Sequence, residues 1–121
     1  MPVSYTIEKG YAHCRAVGTY SFDETYRNYK AALDDPLFLP GYHLLMDVYD
    51  SEETRSSKEM ELIAELLGSH PRFGKKCALL VNPDHTVRFG LGRMLSTISE
   101  LKQIDMSIFF NIEEAILYMI S

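Results

Sequence analysis

Chemistry in a chain starts with groups that can lose a proton, attack or hold an ion, and here these are few and scattered. Asp47 and Asp50 close the run His43-Leu44-Leu45-Met46-Asp47-Val48-Tyr49-Asp50. Paired carboxylates at a strand end suit a general base or a Mg²⁺ ligand, and they equally suit a polar strand terminus. Ser56 and Ser57 follow at the head of a helical pattern. There a hydroxyl serves as a helix N-cap, and a phosphate on it would be favoured by the helix dipole. His85, Arg88 and Arg93 stand with Gly90 and Gly92 at another helix start, where exposed N–H groups and two guanidinium groups would hold an anion. The Gly90-Leu91-Gly92 piece is neither a phosphate-binding loop nor a complete dinucleotide fingerprint. Glycines there also let a helix approach a sheet closely.

Other reaction types find less support. His13, His43, His70 and His85 are never four residues apart, and no cysteine joins them at a metal-ligand spacing, so no metal is expected. No Gly-x-Ser-x-Gly elbow is present. Cys14 and Cys77 both fall in apolar runs, which reads as small buried hydrophobes in a reducing compartment. No catalytic residue and no cofactor follow from these patterns.

The elements that must position these groups are legible. The 121 residues suit a single domain, residues 1–121, large enough for one core. Net charge is 12 − 17 = −5, which opposes nucleic-acid binding. The first residues show no signal peptide, and no apolar run reaches membrane-spanning length. A cytoplasmic protein is expected.

Two alternating runs, Tyr5–Glu8 and Tyr11–Gly18, flank Lys9-Gly10 and predict an antiparallel hairpin. Ala12, Cys14 and Ala16 give it a small-residue face for a helix, with His13 and Arg15 opposite. Ser21 with Glu24 is a capping box. Phe22, Tyr26, Tyr29 and Leu33 then share one helical face until Asp34-Asp35-Pro36. With Phe38, the aromatics Phe22, Tyr26 and Tyr29 are candidates for lining an apolar ligand, or else they are core.

A buried strand is expected from Leu44 to Tyr49. A second capped helix runs from Ser56 with Met60, Ile63, Ala64 and Leu67 inward, and Gly68 is placed just beyond its end. Cys77–Val81 lacks alternation, which suits a central parallel strand. Val87, Leu91, Met94, Leu95, Ile98 and Leu101 keep helical spacing. Met106–Phe110 is the last strand, and Asn111 with Glu114 opens the last helix. The order β-β-α-β-α-β-α-β-α predicts an α/β fold with a mixed, mostly parallel sheet in which sequential strands are neighbours.

Four segments together resemble the SpoIIAA-like superfamily, which includes the STAS domains of anti-sigma-factor antagonists and the CRAL-TRIO lipid-binding domains. They are Pro40-Gly41 before Leu44–Val48, the capped helix from Ser56, Phe89-Gly90-Leu91-Gly92-Arg93-Met94, and Phe109-Phe110-Asn111-Ile112-Glu113-Glu114-Ala115. More closely, the chain resembles small bacterial STAS-like proteins. The resemblance implies a non-enzymatic regulatory module that binds a protein partner or small ligand at the carboxyl ends of the central strands. Asp50, Ser56 and Ser57 would then form the docking and phospho-switch region. The family's Asp-Ser-Ser-Gly is replaced here by Arg55-Ser56-Ser57-Lys58, a degraded form of that motif. The CRAL-TRIO relatives imply an alternative, a carrier of a small apolar or lipid-like ligand. A homodimer is compatible with either reading.

Overall fold

The computed structural model describes residues 2–53, 56–84 and 104–121. Five strands, β1 (Val3–Glu8), β2 (Tyr11–Ala16), β3 (Tyr42–Asp47), β4 (Phe73–Leu80) and β5 (Asp105–Phe109), form one sheet in sequence order. β1 and β2 are antiparallel and every other pairing is parallel. The turn between β1 and β2 passes through Gly10 at φ 97°, a conformation that suits glycine. Three helices are described: α1 (Phe22–Asp34), α2 (Ser57–Ser69) and α3 (Ile112–Ile120). The helical pattern expected at 87–101 lies outside the described residues. The mixed, mostly parallel α/β sheet with sequential neighbours is as the sequence predicts.

β3 is the middle strand, and its apolar run has no face left for water. Leu44 and Met46 pack with Ala12, Cys14, Cys77 and Leu79 beneath α1 and α2. Leu45 packs on the opposite face with Tyr11, Ala78, Leu80 and the α3 residues Ala115 and Met119. Ala12 and Cys14 let α1 come close, as the small-residue face required. Both cysteines are free and buried, and burial pushes both thiols up. Among the described residues no helix is long and apolar enough to cross a membrane.

Ser21 and Ser56 form complete capping boxes with Glu24 and Glu59, and Asn111 accepts from the Glu114 N–H at 3.2 Å. Several boundaries differ from the sequence expectation, and three of the differences bear on the fold. β3 stops at Asp47 rather than Tyr49, because Asp47 Oδ1 turns back to accept the Tyr49 N–H at 3.2 Å. Gly68 is helical and does not terminate α2; the helix runs to Ser69 and ends at His70. His70 precedes Pro71, which pushes it to an extended ψ of 125°. β4 begins at Phe73, four residues before the apolar run, across an irregularity that no periodicity announces. There His43 alone stands opposite Gly74, Lys75 and Lys76, because Tyr42 pairs with Phe73 and Leu44 with Cys77.

That irregular stretch has a role in closing the helices. None of the three described helices carries a basic residue in its last turn. Each follows a strand and runs back antiparallel to it, so all three carboxyl ends gather at the amino end of the parallel strands. The chain meets them with cations from the start of β4. Arg72 donates to the carbonyls of Leu33, Asp35 and Phe38 at 2.7, 3.1 and 2.9 Å, closing α1. Lys75 Nζ donates to Gly68 O at 3.1 Å on α2. Lys76 Nζ donates to Tyr118 O and Ser121 O at 3.3 and 3.2 Å on α3. Cations there complement the negative end of each helix dipole. Lys75 sits in the left-handed region at φ 75°, which costs about 1–2 kcal/mol for a residue with a Cβ.

Arg72 is the strongest of these clamps, since its fork meets three carbonyls at the end of α1. Arg72→Ala is expected to lower stability by about 2–3 kcal/mol in urea unfolding. Arg72→Lys should recover less than half of that, because an ammonium group has no planar fork. Equal stabilities for the two variants would show that the fork geometry is irrelevant.

Candidate functional site

Parallel pairing brings the carboxyl ends of β2, β3, β4 and β5 to one side, with the head of α3 beside them. An open groove of about 310 Å³ lies there. Arg15, Asp47, Asp50, Phe110 and Ile112 are among its lining. Asp47 is the buried centre of its polar wall, with 6% of its surface exposed. Arg15 stands directly opposite Asp47 in the β2–β3 ladder. His13, two residues earlier, points to the same sheet face. His13 Nε2–H donates to Asp47 Oδ2 at 2.8 Å, and Arg15 Nε approaches the same oxygen at 4.0 Å. Arg15 Nη2 also donates to Asp50 Oδ2 at 3.0 Å. The carboxylate of Asp47 thus has partners on both oxygens, which is what permits its burial.

The loop after β3 is fixed by backbone and hydroxyl bonds. Gly18 N–H donates to Asp50 O and Glu52 N–H to Gly18 O, each at 2.9 Å. Ser51 is fully buried between them; its Oγ lies 2.5 Å from Tyr20 Oη and accepts the Glu53 N–H at 3.2 Å. This leaves Asp50 half-exposed on a held loop. The other rim is apolar: Phe110 and Ile112 are 45% and 36% exposed. Glu113, in the first turn of α3, adds a second exposed acidic group beside Asp50.

Of the residues the sequence singled out for chemistry, Asp47 and Asp50 line this groove. Ser56 is exposed at the head of α2, where its Oγ accepts the Glu59 N–H at 3.2 Å and its own N–H donates to Glu59 Oε1 at 3.0 Å. The side chain of Ser57, and His85, Arg88 and Arg93, lie outside the described residues. Tyr29 and Phe38 are buried in the core under α1. Phe22 and Tyr26 are half-buried beside it, their ring centroids 5.9 Å apart. None of these four aromatics lines the groove. Among the described residues no three His, Cys, Asp or Glu side chains converge as metal ligands.

His13 and Arg15 were visible as a polar face of one strand, and Asp47 as a strand-end carboxylate. Their meeting was not visible, because it joins positions 34 residues apart through a strand register. The signal available was the alternation in Tyr11–Ala16, which fixes the face but not the partner.

Asp47→Ala would leave the Tyr49 N–H and His13 without their acceptor. We expect a loss of about 2 kcal/mol in urea unfolding, at the moderate end because His13 and Arg15 reach solvent. A loss within experimental error would show that the carboxylate is not a structural centre. At the head of α2, Ser56→Ala should cost about 1 kcal/mol, whereas Ser56→Asp should stay within a few tenths of the parent because aspartate caps as well. Thermal unfolding of the three proteins checks this, and equal stability of all three would remove Ser56 as a significant cap.

None of the protein-family models, curated proteins or solved structures compared with this chain matches it.

Proposed function

We propose that this chain is a non-enzymatic interaction module that docks a protein partner at the carboxyl ends of its central strands, in the manner of the SpoIIAA-like proteins it resembles. The observation that carries the reading is the pairing of exposed Phe110 and Ile112 with Asp50 and Glu113 around one small groove. At about 310 Å³ the groove is at the low end for a whole small ligand and of a size for one anchoring side chain. The stapled loop supports it further. Asp50 is held by Gly18 and Arg15 before any partner arrives, so little ordering cost falls on binding. Apolar rim residues would bury against the partner's own apolar anchor, and the carboxylates would select a basic flank. Ser56 and Ser57 are the regulatory candidates that the resemblance implies, and phosphorylation of either would add about two negative charges at the head of α2.

A photo-crosslinking side chain placed at position 110 in the native host tests this. Position 62 on α2, where Leu62 is 38% exposed, serves as the control. A discrete protein adduct is expected from 110 and not from 62, and Asp50→Lys should remove it. Identical adducts from both positions, or none from 110, would sink the docking reading.

A further inference from the structure

At the opposite end of β2 and β3 lies a second, larger open cleft of about 740 Å³. Its walls are more apolar than polar, with Tyr11 and Tyr42 from the strands and Ile116, Met119 and Ile120 from α3. Met119 and Tyr11 are buried, while Ile120 is 55% exposed. Glu8 and Lys9 are neighbours on the rim, so their charges offset one another. Among the strand residues of this lining, His43 brings a ring nitrogen, beside the Glu8 carboxylate and the Tyr11 and Tyr42 hydroxyls.

The backbone around His43 is shaped to hold its ring. The irregular stretch of β4 brings the Lys76 N–H to His43 Nδ1 at 3.3 Å. Gly74 lies against the ring so closely that a Cβ there would fall 2.6 Å from Nδ1 and Cε1, and 2.1 Å from Gly41 O. Only glycine fits at that point. With Nδ1 accepting, the ring hydrogen stands on Nε2, which has no partner among the described residues. Burial first, and then nearby Lys76, hold His43 below the usual histidine range, so the ring is a neutral donor at neutral pH.

We propose that this cleft is a second binding site, which takes a small uncharged molecule with an apolar body and one hydrogen-bond acceptor, received by His43 Nε2–H. The apolar wall residues supply the contact area, the His43 donor held by the backbone supplies orientation, and the offset rim charges favour an uncharged ligand over an ionic one. This site lies away from the groove at the carboxyl ends and stands or falls independently of docking there.

Matched probes test it: acetophenone, which carries one carbonyl acceptor, and ethylbenzene, which has the same shape without it. Each is titrated into the full chain at millimolar concentration and followed by backbone and imidazole ¹⁵N resonances. Acetophenone should shift the His43 ring nitrogens and the amides of Gly10, Tyr42 and Ile120. It should bind about three- to tenfold more tightly than ethylbenzene, the worth of one hydrogen bond. His43→Leu should erase that advantage. Ile120→Glu, at an exposed wall position that the fold does not need, should weaken both probes. Equal affinity of the two probes for the parent protein, shifts centred outside the cleft, or no shift at all would each overturn the proposal.

Discussion

Three helices end at the same side of this sheet, and the negative ends of their dipoles have to be neutralised there. None does so with a basic residue of its own last turn. The solution is one short stretch, Arg72 to Lys76, whose three cations reach the carboxyl ends of α1, α2 and α3 in turn. The irregular register of β4 against β3 follows from packing these roles into five residues. It sets Lys75 in a left-handed conformation, brings Gly74 against His43 and fixes where regular pairing resumes at Cys77.

The middle strand imposes the second constraint. Leu44, Leu45 and Met46 are buried on both faces, and each such side chain contributes about 1.5–3 kcal/mol through removal from water. A strand with no solvated face can carry polar chemistry only at its ends. His43 precedes the apolar run and Asp47 follows it, and the two clefts form around these residues. The ends differ in kind. At the carboxyl end Asp47 is satisfied by His13, Arg15 and the Tyr49 N–H, leaving Asp50, Phe110 and Ile112 to face solvent. At the amino end the imidazole keeps one nitrogen without a protein partner among the described residues.

The two surfaces suit different occupants for physical reasons. A shallow groove with exposed apolar rim residues and carboxylates offers a partner protein an anchor point and a charge preference. Under the proposed ligand reading, the wider cleft would offer a small molecule apolar contact area and a directional bond from His43. Backbone hydrogen bonds hold both, through Gly18 at one end and through Gly41 N–H to Arg72 O and His43 N–H to Gly10 O at the other.

The sequence by itself determined the α/β class, the opening hairpin, the mostly parallel sheet and the caps at Ser21, Ser56 and Asn111. These rest on local signals: alternation, helical spacing, and a cap residue with glutamate three positions on. It also placed Asp50 at the strand end where the groove forms. It missed the ends of β3 and α2, because the Asp47 turn and the effect of Pro71 on His70 outweigh the spacing of apolar residues there. What only the tertiary structure decided were contacts made through register and helix direction. Asp47 meets His13 because parallel pairing sets Arg15 opposite it, and Arg72 reaches Leu33 across 39 positions because α1 ends where β4 begins. A one-dimensional pattern records which face a residue takes. It does not record which strand lies beside it, and that neighbour decides whether a polar residue becomes a clamp, a buried pair or an open donor.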